Sequence, residues 1–478
     1  MFVRVPSSAP VKAPSLEPAA RVATSTPQNP VVGRPQCAYV GFEHPLYKCT
    51  GIILPHSPQA ILENGPMRSE ISHYHRLLGP RPLRLLHRSF KHHPQSLFLY
   101  EWAMTTSPHH EPAQQQRGGS VVAALEEEKE EKARCEWDFR LSTVVSPSTA
   151  AGEVSDSIGA IEFDPTDRLL ATGGIARKIR IYSLGTLLPE SRDSSLTFSD
   201  HSTGCLLCIC TPAKLSSLRW RPDSSGRIVG SGDYDGVVTE YDVERNVAVF
   251  ERDEHAGRRV WSVDYSVSGD LGASGSDDGT VQLWDSRCAN GGLVAVARAG
   301  GAVCSVEFDT EGGPWVGAGS ADRHAYVFDV RAVSAGPVAT LGGHGRAVTY
   351  VRFAQGGRSV VTSGTDGSHR LWEWAEGREV RAYRGHVNSR SFVGVSVWRG
   401  AGLVGSGSES NEVFVYDLRW KEPIWVRGFG PRREEGGAFV GAVSWRQAVS
   451  GPGEGALVAG GSDGVLQVFV ARKKTESE

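Results

Sequence analysis

Methionine is nearly absent from the chain: three residues in 478, Met1, Met67 and Met104, all in the first 104 positions. Long apolar runs are missing too. None approaches the roughly 18 residues a membrane-spanning helix needs, so no membrane partner is expected. The eight cysteines are irregularly spaced. They form no disulfide framework, and a reducing compartment suits them better. The net charge of −3 gives no push toward nucleic acid, and no direct nucleic-acid partner is expected. There is no GxxxxGK[ST] to cradle a phosphate, no HExxH, and no paired CxxC…CxxC. GxSxG occurs once, at Gly460-Gly461-Ser462-Asp463-Gly464. It falls between two strand patterns, whereas a nucleophile elbow needs a strand-to-helix turn. Catalysis, a cofactor and a bound metal are therefore not expected.

What is present is a repeat. From Arg258 to Arg287 the chain reads RRVWSVDYSVSGDLGASGSDDGTVQLWDSR. Runs around Val260–Tyr265, Leu271–Ser274 and Val281–Trp284 alternate apolar and polar residues, and Gly/Asp turns separate them. This is the pattern of an antiparallel meander. The aromatic ending the third run recurs at Tyr182, Tyr241, Trp284, Phe328, Trp372, Tyr416 and Phe469, at intervals of 59, 43, 44, 44, 44 and 53. A first-strand anchor recurs in step: Phe163, Trp220, Tyr265, Phe308, Phe353, Val397 and Trp445. A period near 44 with several strands per unit predicts an all-β fold, a seven-bladed WD40 β-propeller.

Two units carry the His/Ser/Asp/Trp spacing of the hydrogen-bonded tetrad of such repeats. These are His255, Ser274, Asp278 and Trp284, then His344, Thr362, Asp366 and Trp372. Turn-locking bonds would satisfy these buried imidazoles, which reads as structure rather than catalysis. The last unit runs out with no fourth strand. WDFRLSTVV (Trp137–Val145) is expected to supply it and close the ring, removing two exposed sheet edges.

The long intervals place insertions at Gly185–Pro212 and around Gly428–Gly455. The first contains His201, Cys205, Cys208 and Cys210, residues of metal-binding type. No second pair follows at zinc-finger distance, so it reads as a loop with incidental thiols, and deleting Ser191–Ile209 is expected to leave the propeller folded. Residues 1–135 match nothing that follows and are expected to form a disordered extension. A start of translation at Met104 and a short charged helix at Val121–Arg134 are further expectations there. The propeller is expected over 136–472, with a tail at 473–478.

Several stretches are more specific. GGIARKIRIYSL (Gly173–Leu184), SGDYDGVVTEYDV (Ser231–Val243), EHAGRRVWSVDYS (Glu254–Ser266), GSADRHAYVFDVR (Gly319–Arg331), RGHVNSRSFVGVSVW (Arg384–Trp398) and GSESNEVFVYDLRW (Gly407–Trp420) resemble the propeller of the plant constitutively photomorphogenic ubiquitin ligase. The zinc RING and coiled coil of that ligase are not found here, nor is the kinase-like region of its suppressor-of-phytochrome-A partners. The opening EWDFRL and the short N-terminus resemble instead the stand-alone propellers called repressors of UV-B photomorphogenesis. The resemblance implies a non-enzymatic regulator in nucleus and cytoplasm. It would bind the UV-B photoreceptor, promote its return to the dimer and damp the response.

The ligase family holds Val-Pro peptides with acidic flanks, among them motifs of transcription factors, in a groove on the propeller. The resemblance places that groove here at Lys214, Tyr234, Arg259, Trp261, Cys304, Arg346 and Phe392. Arg346 and Arg323 depart from the Lys and His of the ligase. Trp284-Asp285-Ser286-Arg287, with looser copies at Phe328-Asp329-Val330-Arg331 and Tyr416-Asp417-Leu418-Arg419, resembles the box by which WD40 proteins dock on the cullin-4 ligase adaptor. Asp at a strand end also has an ordinary turn role. The rival reading is thus a substrate receptor of a cullin-4 RING ligase that targets light-response transcription factors.

Overall fold

Alternating strands this short cannot bury both faces alone, and each blade has a four-stranded antiparallel sheet packed between two others, to which blades 1 and 7 each add a fifth, parallel strand. The structure, a computed structural model, describes residues 133–147, 155–188, 196–288, 292–430, 437–447 and 453–474 and the backbone of Ala38–Tyr39. The expected extension, the start at Met104, nearly all of the helix at Val121–Arg134 and the end of the tail lie outside these residues.

The innermost strands of blades 1 to 7 are Ile158–Phe163, Leu215–Trp220, Val260–Tyr265, Val303–Phe308, Val348–Phe353, Val395–Trp398 and Val440–Trp445. Each neighbours the next, and the seventh neighbours the first, so they enclose a central channel. Further strands follow outward. In blade 3 they are Leu271–Ser276, Thr280–Asp285 and Leu293–Arg298. All seven third-strand aromatics are buried. Trp284 fits because position 272 is glycine: a Cβ there would lie 2.2 Å from the indole. Between blades, Val281 and Leu283 of blade 3 pack with Val303, Val306 and Phe308 of blade 4.

Innermost strands present backbone N–H groups to the channel side with no sheet partner, and such groups need acceptors. Side chains of the preceding blade supply them. Ser217 Oγ accepts from Val263 N (3.1 Å), Ser262 Oγ from Val306 N (3.1 Å), Ser305 Oγ from Val351 N (3.2 Å) and Ser396 Oγ from Trp445 N (3.0 Å). Arg219 adds a charged tie to Glu162 (2.7 Å), Asp264 (2.7 Å) and Glu307 (3.5 Å), carboxylates of three other blades. Burial works against its charge, but Asp264, Glu162 and Glu307 outweigh burial and hold the guanidinium protonated.

Trp137–Ser146 pairs antiparallel with Leu466–Lys473 and closes blade 7, as expected. Aromatics fasten it. Trp137 meets Trp398 of blade 6 at 5.0 Å, Phe139 meets Trp425 at 4.8 Å, and Trp398 meets Trp445 at 5.1 Å. The histidine bonds of both tetrads form as spaced, but only blade 5 completes its tetrad. His255 bonds Asp278 (2.8 Å) and Ser274 (2.7 Å); His344 bonds Asp366 (3.2 Å) and Thr362 (2.7 Å). The indole bond is made only in blade 5, where Trp372 Nε1 donates to Thr362 Oγ1 at 2.8 Å. Trp284 Nε1 has no protein partner.

The first insertion is not a dispensable loop. Leu207–Cys210 is the fourth strand of blade 1, paired with Lys178–Ser183. Thr197–Asp200 adds a parallel strand beside the closing strand of blade 7. Between them His201 is buried. Its Nε2 donates to Gly464 O (2.7 Å), because a carbonyl can only accept, so Nδ1 accepts from Tyr182 OH (2.8 Å). Cys208 and Cys210 lie on the strand itself, and the insertion clips blade 1 to blade 7. The structure speaks against the expectation that Ser191–Ile209 is removable, since the stretch holds Thr197–Asp200 and most of Leu207–Cys210; strands of four residues are too short for alternation to reveal. The GxSxG stretch does form a hairpin turn between Glu454–Gly461 and Leu466–Lys473.

Candidate functional site

The upper mouth of the channel is the end where second strands turn into third strands. Six innermost strands slip register at their second residue, which leaves one unpaired bulge residue each: Gly159, Ser216, Trp261, Cys304, Thr349 and Gly441. A bulge re-aims its side chain. Five of the six are small, and Trp261 alone puts a large ring there. The simple alternation that would set Arg259 and Trp261 on one side of a common strand does not hold, since the strand begins at Val260. Arg259 reaches Trp261 from outside it.

Trp261 stacks on Phe392 of blade 6 with ring centroids 4.6 Å apart and planes 16° apart. Tyr234 of blade 2 meets Trp261 edge-on at 5.9 Å, and Tyr350 of blade 5 meets Phe392 edge-on at 6.3 Å. Four blades thus contribute one aromatic cluster across the mouth. The Arg259 guanidinium lies over Tyr234 (4.5 Å) and Trp261 (4.7 Å), a cation–π arrangement. Asp277 orients both residues: it accepts from Trp261 Nε1 (2.5 Å) and lies 3.9 Å from Arg259. Arg259 Nε has no hydrogen-bond partner among protein atoms. Burial, opposed by Arg259, pushes the Tyr234 phenol up to about 12, so it stays a neutral donor.

The remaining residues of the expected groove are placed as follows. Lys214 is exposed and neighbours Tyr234, whose N–H donates to Lys214 O at 3.0 Å. Arg346 is exposed and donates to Ser389 O (3.2 Å), on the segment that carries Phe392. Cys304 is buried, with Sγ 3.8 Å from Ala302 O. Burial, with Asp277 and Asp322 adding to it, pushes its thiol up, so it acts as a small wall rather than a nucleophile. Arg323 is exposed in a blade 4 turn at φ 79°, a left-handed conformation that blades 2, 3, 5 and 7 give to Gly236, Gly279, Gly367 and Gly464.

Tyr350, Asp277 and Glu409 were not anticipated. For the two acids a signal exists: Gly275-Ser276-Asp277 and Gly407-Ser408-Glu409 are equivalent turns. The arrangement suits a compact apolar ring with an acidic neighbour. Flat faces supply burial and Arg259 supplies charge. The stack at 4.6 Å is in contact, so such a group must part the rings or seat beside them.

At the opposite end of the channel three arginines repeat one geometry. Arg287 donates to Asp285 (2.9 and 2.7 Å), Arg331 to Asp329 (2.9 and 2.6 Å) and Arg419 to Asp417 (3.0 and 2.8 Å). The arginine side chains are 63%, 69% and 55% exposed. Hydrogen bonds from Arg287 and Arg331 hold the Asp285 and Asp329 carboxyls down at about 2. These bonds spend one edge of each guanidinium fork inside the chain. Each Asp also accepts its arginine's backbone N–H, as a turn residue does.

Residues 246–285 and 335–373 match the family model "WD domain, G-beta repeat". The chain is 58% identical over 332 residues to the WD repeat-containing protein RUP2 of Arabidopsis thaliana, which covers 67% of this chain and 89% of that protein. It is 58% identical over 348 residues to RUP1 of the same plant, covering 71% and 86%. The Arabidopsis E3 ubiquitin-protein ligase COP1 is 32% identical over 320 residues, 66% of this chain and 44% of the ligase. The chain belongs to the RUP family of plant WD-repeat proteins.

Proposed function

We propose that the protein is a non-enzymatic negative regulator of UV-B signalling that binds the UV-B photoreceptor at the upper mouth and promotes its redimerisation, in nucleus and cytoplasm. The observation that carries this reading is the Trp261–Phe392 stack with Arg259 over its edge. It offers apolar faces and an under-coordinated cation to a Val-Pro segment with an acidic flank, of the photoreceptor or of a transcription factor. Identity to RUP1 and RUP2 across the blades supports the choice of partner. The test is the rate at which UV-B-monomerised photoreceptor returns to the dimer. Added protein should speed it, and Trp261→Ala should not. An unchanged rate with the wild-type protein contradicts the proposal.

The three Asp-x-Arg hooks favour a second role, docking on the cullin-4 adaptor as a substrate receptor. Capture of that adaptor should weaken when Arg287, Arg331 and Arg419 are all replaced by Ala. Equal capture by the triple variant removes the reading.

A further inference from the structure

In five blades the turn after the second strand is tied back to the residue just before the innermost strand. Tyr234, Asp277, Ala321, Thr365 and Ser462 donate their N–H groups to the carbonyls of Lys214, Arg259, Ala302, Ala347 and Phe439. Blade 6 differs. Glu409 N donates to Val387 O (2.8 Å), yet the innermost strand begins only at Val395. Gly407 N donates to Gly394 O (3.0 Å), so it is residues 388–393 that arch away from their own sheet, and Phe392 is carried on that arch.

The Glu409 side chain fills the arch. One carboxylate oxygen accepts the successive N–H groups of Ser389 (3.1 Å), Arg390 (2.7 Å) and Ser391 (2.6 Å), and the other accepts Ser389 Oγ (2.7 Å). Converging amides make an anion nest, here occupied by the chain's own carboxylate. Burial works against the charge, but the donors from Ser391, Ser389 and Arg390 outweigh it and keep Glu409 ionised below the usual carboxylate range. Phe392 is the next residue after the nest.

We propose that Glu409 is a positioning residue: by holding the arch it fixes Phe392 against Trp261 and so sets the shape of the ligand site. The proposal rests on reading the aromatic cluster as that site. Ala at 409 leaves three adjacent N–H groups without their acceptor, and such groups are costly to leave unpaired. Gln keeps an acceptor oxygen but loses the charge, so it should restore part of the effect.

The test uses the full chain labelled with 5-fluorotryptophan. Among the 12 tryptophans, the Trp261 signal is the one lost in Trp261→Phe. Its ring-current shift reports the stack with no ligand present, and Phe392→Leu marks the unstacked position. Glu409→Ala should move the Trp261 signal toward that position, and Glu409→Gln should move it less. An acidic-flanked Val-Pro peptide should bind Glu409→Ala about tenfold more weakly, equivalent to about 1.4 kcal/mol. If Glu409→Ala melts without cooperativity, Glu409→Gln carries the same reading. A Trp261 signal unmoved in a folded Glu409 variant overturns the proposal. A moved signal in a protein whose wild type binds no such peptide upholds the positioning role and defeats the ligand reading instead.

Discussion

Trp261 and Phe392 stack face to face at 4.6 Å although blades 4 and 5 separate their strands in the ring. The contact spans the channel mouth because each residue leaves its sheet, Trp261 as a bulge and Phe392 on an arch. Neither departure adds to the sheet that carries it. Both expose aromatic surface at one place, which is what a binding site for a short apolar segment needs.

His201 closes the seam between blades 1 and 7 through Tyr182 OH and Gly464 O. Replacing it with Ala strands both partners in a buried site and should cost about 2 kcal/mol. Chemical denaturation of His201→Ala measures this. A loss under about 0.5 kcal/mol, the range of ordinary surface changes, would mean that the clip contributes little.

The closing strand is fastened mainly by rings. Trp137 is 7% exposed and packs on Trp398. Trp137→Ala should cost about 3–5 kcal/mol, the range for large buried aromatics. Heat or urea unfolding of the variant gives the figure, and near-wild-type stability would place closure elsewhere.

A pH dependence follows from the stacked imidazoles of His369 and His386, 3.8 Å apart at 3°. His386 also contacts Tyr416 OH (3.0 Å) and senses Asp366 and Arg384. Burial pulls it down to about 4, with Arg384 adding to that and Asp366 opposing. Between about 4 and the unfolded value near 6.5 the unfolded chain binds the extra proton. Stability is therefore intact above about pH 6.5, falls as pH drops, and the loss is complete below about 4, at most about 3 kcal/mol. Asp233, raised by burial to about 6, works in the opposite direction. Comparison with His386→Phe isolates the histidine, and the variant should show a flatter stability slope from pH 6.5 to 4.5. Equal slopes would refute the assignment.

The ring of seven was legible because buried aromatics must recur where blades meet, and Tyr182 through Phe469 mark every third strand. The closing strand followed from counting, since the last repeat had no partner for Leu466–Lys473. The insertion was not legible. Thr197–Asp200 and Leu207–Cys210 are too short to show alternation, and His201 finds Gly464 only across the ring seam, 263 positions away. At the mouth, resemblance named Tyr234, Arg259, Trp261 and Phe392, which do come together. The direction of Trp261 was not legible, because a bulge is a property of paired strands and leaves no mark in one of them. The turn that carries Glu409 was legible, but its role was not, because its partners sit on an arch 18 to 20 positions earlier.

Arg259 and Trp261 should differ in how salt affects their loss. Arg259 contributes charge at a half-buried position, with Asp277 3.9 Å away as partial counterweight. Arg259→Ala should weaken binding of an acidic-flanked Val-Pro peptide and remove most of its salt sensitivity, as screened attraction requires. Titration at low and high salt reads this, and an unchanged salt slope would assign the charge effect to Lys214 or Arg346.

The central claim is that the mouth cluster is the binding site, and Trp261 is its largest wall. The most direct measurement is calorimetric titration of wild type and Trp261→Ala with the photoreceptor's C-terminal peptide. Aromatic hot spots contribute about 2 kcal/mol or more. Trp261→Ala should therefore bind at least about thirtyfold more weakly at both low and high salt. Wild-type affinity in a folded Trp261→Ala protein would contradict the account and place the binding surface elsewhere on the propeller.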